Sequence, residues 1–285
     1  MALRPAADAG SLVLGGDVSV HRLGFGAMRL TGEGIWGEPK DAGRAKAVLR
    51  RAVELGVTLI DTADSYGPEV SERLIAEALF PYPTGLVIAT KGGLTRSGPG
   101  AWERNGKPAH LVAACEGSLK RLRLQRIDVY QLHAVDQAVP FLDSLGALVR
   151  LQAQGKVRHI GLSNVSVEQL EQARKVVPIV SVQNRYSLSD RSAEGVLEAC
   201  TRLGLGFLPW YPLAAGSLNR QGGPLDTIAT RHQATPGQVA LAWLLRRSPV
   251  VLPIPGTSSL PHLEENVAAA ALKLTDEEFQ TLSRG

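Results

Sequence analysis

Eight times along this chain a short apolar run gives way to an amphipathic stretch of helical period, and that alternation leaves few architectures open. The runs begin near Leu23, Val57, Leu86, Ile127, Val157, Val180, Leu205 and Val250. Most are apolar on both faces, as strands of a covered parallel sheet must be. The stretches between them carry helix punctuation. Ser166-Val-Glu-Gln169 and Thr275-Asp-Glu-Glu278 fit the capping box. Thr235 followed by Pro236, with Gln238 in third place, makes another. Gly155 and Gly204 stand where left-handed residues end helices. Ahead of the first unit, Leu12-Val-Leu-Gly-Gly-Asp-Val-Ser-Val20 reads as a hairpin. The expectation is an α/β fold, a (β/α)8 TIM barrel with an N-terminal β-hairpin, with a doubly wound sheet as the alternative.

A barrel takes roughly 250 residues, and this chain has 285, of which 44% are hydrophobic. No linker or break in composition divides it, so one domain over 1–285 is expected. No apolar run approaches the ~18 residues of a membrane span, and the first residues lack the pattern of a secretory signal. A cytoplasmic protein with no membrane partner follows. Cys115 and Cys200, far apart in helical patterns, read as small buried hydrophobes. The net charge is +4, with its densest basic run at Lys120-Arg-Leu-Arg-Leu-Gln-Arg126. That run has no aromatic interleaving and closes a helix, whose C-terminal dipole favours cations, so no nucleic-acid partner is implied. There is no Cys/His cluster or H-E-x-x-H run, so no metal site is expected, and His110 and His159 stand alone.

Three polar residues follow strand-like runs directly: Asp61 after Val57–Ile60, Lys91 after Leu86–Thr90, and His133 after Ile127–Leu132. Tyr66 lies in the loop that Asp61 begins. In a parallel barrel the C-terminal strand ends share one face, where active sites sit. An acid, a phenol, an amine and an imidazole on that face are what a proton-donating site needs. The phenol's ordinary pKa is about 10, so it carries a proton at neutral pH. A neighbouring Lys91 would draw that pKa down, and Asp61 would keep the lysine charged.

Other strand ends supply a different polar set. Ser163-Asn164 follows the fifth run, Gln183 the sixth and Trp210 the seventh. Amides and hydroxyls can pair with a carboxamide, and an indole face can stack on a flat heterocycle. After the eighth run, Gly256-Thr257-Ser258-Ser259 leads into a helix whose N-terminus suits a phosphate. The stretch Gly24-Phe-Gly-Ala-Met-Arg29 lacks the third glycine of a dinucleotide fingerprint and is not read as one.

Together these pieces resemble the aldo-keto reductases, over Arg22 to Asn266. The most specific are Asp61-Thr-Ala-Asp-Ser-Tyr66-Gly, Thr90-Lys91, Leu132-His133, Gly161-Leu-Ser-Asn164, Gln183-Asn184 and Ile254-Pro-Gly256. The resemblance implies a catalytic tetrad of Asp61, Tyr66, Lys91 and His133 that reduces carbonyls to alcohols with a nicotinamide cofactor. It implies that Ser163, Asn164 and Gln183 hold the carboxamide and Trp210 stacks on the ring. Leu213, Gly216 and Leu218 would line the pyrophosphate, and Glu265 and Asn266 would lie near the adenine. Family members that prefer NADPH often carry a cation where this chain has Gly256 and His262. Thr257, Ser258 and the helix terminus would then do more of that binding, with NADPH expected and NADH compatible. Trp36, Trp102, Tyr211 and Val135-Asp136 are candidates for the substrate pocket, and little chain follows the last helix to close the mouth. The opening segment looks allied to pyridoxal reductases, so a small carbonyl such as pyridoxal is the expected substrate, and a monomer the expected state. Two other readings stay open, a barrel lyase with Lys91 as Schiff base and a nicotinamide-sensing module with little turnover.

Overall fold

The computed structural model describes residues 4–213 and 223–284. Strands β1 (Ser11–Leu14) and β2 (Val18–His21) pair antiparallel, with Gly15 and Gly16 at positive φ in the turn between them. Their apolar side chains Leu14, Val18 and Val20 are buried against Leu59, Val87, Val129, Val180, Leu208 and Leu252. The hairpin therefore plugs the N-terminal end of the barrel.

Strands β3 (Phe25–Gly26), β4 (Leu59–Asp61) and β5 (Val87–Gly92) start a parallel sheet. A second hairpin, β6 (Leu94–Gly98) with β7 (Ala101–Arg104), is inserted after β5. The sheet continues through β8 (Ile127–Leu132), β9 (Val157–Ser163), β10 (Ile179–Arg185) and β11 (Gly206–Trp210), every neighbouring pair parallel.

The eighth expected strand is not a full ladder. Residues 250–255 make a single bridge, Phe207 to Val251, because Pro253 and Pro255 have no N–H to donate. They still accept. Leu252 N donates to Phe207 O, while Gly24 N and Gly26 N donate to the carbonyls of Pro253 and Pro255. This one-sided pairing joins the last segment to the first strand and closes the barrel. A Cβ on Gly26 would lie 2.6 Å from Ile254 O, and one on Gly256 would lie 2.5 Å from Gly26 O. The glycines that resemble a nucleotide fingerprint thus serve a close backbone seam.

Among the described residues ten α-helices cover the sheet and its end: α1 (Ala42–Glu54), α2 (Val70–Leu79), α3 (Pro108–Leu122), α4 (Phe141–Ala153), α5 (Val167–Arg174), α6 (Glu194–Leu203), α7 (Pro224–Arg231), α8 (Pro236–Arg247), α9 (Leu260–Ala268) and α10 (Asp276–Arg284). Ser166 and Thr235 close reciprocal capping boxes with Gln169 and Gln238, and Thr275 does so with Glu278. Gly155 and Gly204 are left-handed past α4 and α6. Each fully buried Leu on these faces, such as Leu49, Leu74, Leu148 or Leu197, contributes about 2 kcal/mol. Cys115 and Cys200 are free and buried. The basic run ends α3 as expected, although Arg121 is drawn inward to pair with Glu72 at 2.7 Å.

Candidate active site

The barrel brings Asp61, Tyr66, Lys91 and His133 together at its C-terminal mouth. Asp61 ends β4 and Lys91 lies near the end of β5, where the strands are in register with neighbours on both sides. Lys91 is fully buried, and its Nζ donates to Asp61 Oδ2 at 2.7 Å and to Thr62 O at 2.8 Å. The Tyr66 hydroxyl lies 3.4 Å from the same Nζ. Asp61 Oδ1, the other carboxylate oxygen, accepts from Gln183 and Gln131 at 2.8 and 3.3 Å. His133 follows β8 with its ring edge-on to that of Tyr66, centroids 5.8 Å apart. Its Nδ1 stands 3.4 Å from Ser65 Oγ, and its Nε2 has no hydrogen-bond partner among the described residues.

Protonation follows from burial and charge together. Burial pushes the Lys91 amine down, but the Asp61 charge, the Tyr66 phenol and the hydrogen bonds to both outweigh it and leave the pKa raised. For Tyr66 burial raises the pKa, and the opposing pull of Lys91 does not cancel it. This departs from the sequence expectation of a lowered phenol: desolvation prevails over the neighbouring cation. His133 is held well below the ordinary imidazole value by burial first and Lys91 second, so it is neutral.

Asn164 takes a left-handed backbone, φ +56°, which an asparagine tolerates. Its Nδ2 donates to His133 O at 3.0 Å, and its Oδ1 accepts from Trp210 Nε1 at 3.0 Å. One amide therefore fixes both the His133 backbone and the indole of Trp210. Ser163 Oγ donates to Gln183 O at 2.9 Å.

An open cleft runs past these groups, lined by Asp61, Tyr66, Gln183, Trp210, Tyr211 and Leu213 among others. Gly26, Arg29 and Gly256 form its rim, and Arg29, Thr257, Ser258 and Trp102 line a neighbouring cavity. Trp36 lines neither and pairs instead with Gly67 in an isolated bridge. Asp136 is occupied structurally, accepting from Ala138 N in its own turn and from Gly106 N across to the loop before α3. His262 is exposed, Asn266 is buried, and Glu265 accepts from Thr235 Oγ1 at 2.6 Å. Gly216 and Leu218 lie outside the described residues.

Two basic residues escaped the sequence reading. Arg29 follows β3, is exposed beside Gly256, and has no ion pair or hydrogen bond among the described residues. Arg96 lies on β6, and its guanidinium stacks on Trp102 at 3.7 Å. A loop rich in Gly and Pro hid this hairpin. Its residues are mostly half-buried or exposed, so no apolar alternation marks it.

With this geometry in view, the relatives agree on a class. Residues 22–284 match the aldo/keto reductase family, and the chain belongs to that family of oxidoreductases. It is 50% identical over 277 residues to an uncharacterized oxidoreductase of Schizosaccharomyces pombe, covering 97% of this chain and 90% of that one. It is 45% identical over 273 residues to pyridoxine 4-dehydrogenase of Escherichia coli, covering 94% and 95%. The crystal structure of an aldo/keto reductase from Klebsiella pneumoniae in complex with NADP and acetate superposes with a TM-score of 0.82 at 28% identity, covering 96% of this chain and 94% of that one.

Proposed function

We propose that this chain reduces small aldehydes and ketones to alcohols with NADPH, and that pyridoxal is among its substrates. One observation carries the reading: Lys91 Nζ bridges the Asp61 carboxylate and the Tyr66 hydroxyl in a buried site, 2.7 and 3.4 Å from each, beside a cleft lined by Trp210.

The residues of the cleft fit a nicotinamide dinucleotide. Gly26 and Gly256 line the cleft beside Ile254 and Pro255, so the barrel seam forms one of its walls. The half-buried Trp210 face is held by Asn164, and Ser163 and Gln183 offer polar atoms for a carboxamide. Ser259 makes no side-chain cap on α9, which leaves that terminus open to a phosphate, together with the hydroxyls of Thr257 and Ser258. Arg29 supplies the positive charge that Gly256 and His262 do not. When bound, the reduced nicotinamide supplies the hydride.

The chain's own groups do the rest. His133, neutral, aims a hydrogen bond from its free ring nitrogen at the carbonyl oxygen. Tyr66, protonated at neutral pH, gives its proton to the oxygen as negative charge develops there. Lys91, held charged by Asp61, stabilises the phenolate left behind. The lyase reading loses support at the same atom, because Schiff-base formation needs a neutral, accessible amine. Lys91 is buried, cationic and engaged with three oxygens.

Support for pyridoxal comes from the Escherichia coli relative, and support for NADPH from the NADP complex of the Klebsiella neighbour. The test is cofactor oxidation by purified protein, with NADPH and NADH in parallel, against pyridoxal, an aromatic aldehyde and a small diketone. Turnover with NADPH is expected. Tight NADPH binding without turnover of any carbonyl would move the assignment to a cofactor sensor.

A further inference from the structure

Arg96 is a cation with no ion pair among the described residues. Its guanidinium has five N–H donors, and five backbone carbonyls take them. Nε donates to Ala101 O at 2.8 Å, Nη1 to Ile35 O and Ser65 O at 2.9 and 3.4 Å, and Nη2 to Gly34 O and Gly98 O at 2.9 and 3.2 Å. Those carbonyls belong to three separate segments: the loop after β3, the loop that carries Tyr66, and the β6–β7 hairpin. The plane of the guanidinium covers Trp102 at 3.7 Å, with Trp36 at 5.7 Å. Trp102 in turn meets Tyr66 and His133 edge-on, with centroids 6.3 and 6.4 Å away. Gly34, at φ +66°, makes room for the hairpin, since a Cβ there would lie 3.0 Å from Pro99.

We infer that Arg96 is a positioning residue for the substrate: it fixes Trp102 as an aromatic wall over Tyr66 and His133 and thereby favours flat, aromatic carbonyls. The physical basis is the rigid fork. A planar guanidinium can hold three loops in one arrangement and stack on the indole at once, which the single ammonium of lysine cannot. Trp102 is 38% exposed on the hairpin and meets Tyr66 and His133 only edge-on, so the stacked guanidinium is what covers its face among the described residues.

This inference rests on the carbonyl-reductase reading, and its test separates the two. The variants are Arg96→Met, which keeps the bulk and loses the fork, Arg96→Lys, and Trp102→Ala. For Arg96→Met, KM for an aromatic aldehyde should rise about tenfold relative to that for a small aliphatic aldehyde, with kcat and the Kd for NADPH within about twofold of wild type. Trp102→Ala should reproduce the shift, the double variant should add nothing to it, and Arg96→Lys should recover part of it. Acrylamide quenching of the Trp102-dependent fluorescence should increase in Arg96→Met whether or not a carbonyl substrate is known. An unchanged aromatic-to-aliphatic KM ratio with a lowered Tm would overturn the inference and leave Arg96 a stabilising clamp. Should Arg96→Met fail to fold, Arg96→Lys carries the same comparison. If wild type turns over no carbonyl, the functional reading fails, and unchanged quenching would then overturn this inference separately.

Discussion

Gln183 Nε2 donates to Asp61 Oδ1 at 2.8 Å, on the carboxylate oxygen that Lys91 does not hold. The sequence reading assigned Gln183 to the nicotinamide carboxamide alone. In the structure one N–H of its amide orients Asp61, and its oxygen and second N–H remain for a ligand. Asp61 is thereby held from both sides, by a charge and by a neutral amide. The lysine it neutralises keeps a fixed distance from Tyr66.

In the proposed mechanism Tyr66→Phe removes the proton donor and nothing that the fold rests on, since the hydroxyl's one hydrogen bond among the described residues is with Lys91 Nζ. Turnover should fall by at least 10³-fold, in line with the upper range for a general acid. NADPH binding, followed by tryptophan fluorescence, should stay within about twofold. Wild-type turnover in this variant would remove Tyr66 from the mechanism.

The Lys91–Asp61 pair is buried on both sides, with side-chain exposures of 0% and 3%. Lys91→Met therefore strands a carboxylate, at a cost of about 3–5 kcal/mol. Pairing it with Asp61→Asn should restore most of the lost Tm while activity stays absent. Chemical denaturation of the single and double variants checks this, and a double variant as unstable as the single would mean the pair is not the source.

The pH profile follows from the directions of shift. Tyr66 is raised above its ordinary 10.0, so the donor stays protonated through neutral and mildly alkaline pH. His133 lies well below 6.5 and stays neutral over the same span. Carbonyl reduction should therefore show no break near pH 6.5 and hold level until strongly alkaline pH. Alcohol oxidation needs the phenolate and should climb with pH throughout. A bell centred near pH 6.5 in kcat/KM would contradict both assignments.

Asp64 sits two residues before Tyr66 with Oδ1 buried and unpartnered. Burial, reinforced by Glu72 and opposed by Arg121, pushes its pKa up to about 8. The folded carboxyl thus keeps its proton while the unfolded one loses it near 3.8. Between those values the folded state binds more protons, so this residue lowers stability as pH rises. Asp64→Asn should gain in Tm over wild type from pH 5 to 8, with no further gain above. A constant gap between the two melting curves would show that Asp64 titrates normally.

The parts of the fold that were legible in the sequence share one property: each was a local pattern. Apolar runs ending in Asp61, Lys91 or His133, and boxes such as Ser166 with Gln169, need only a few neighbouring residues to be read. What was hidden depends on contacts made across the chain. The eighth strand shrank to a bridge because Pro253 and Pro255 face a ladder whose other side lies at Gly24 and Gly26. Arg96 gains its meaning from carbonyls at Gly34 and Ser65, which no spacing rule connects. The raised pKa of Tyr66 is likewise a burial effect, fixed by packing rather than by the order of residues.

Arg29 shows the same dependence and carries a prediction. In the chain it stands far from the Gly256–Ser258 segment, yet the barrel seam sets the two side by side, with Arg29 Cγ 3.6 Å from where a Gly256 Cβ would be. No carboxylate competes for it among the described residues. A phosphate arriving there meets a free guanidinium, an open helix terminus and two hydroxyls. Charge-assisted bonds of this kind contribute about 1.5–3 kcal/mol, discounted here because Arg29 is exposed. Arg29→Gln should therefore weaken NADPH binding by about tenfold, with a smaller loss for NADH if the 2′-phosphate is the group it holds. Equal losses for both cofactors would place Arg29 on the shared pyrophosphate, and no loss for either would remove it from cofactor binding. Raising the salt concentration should shrink the wild-type advantage and leave the variant nearly unchanged. Fluorescence titration at two ionic strengths measures all of these outcomes in one series.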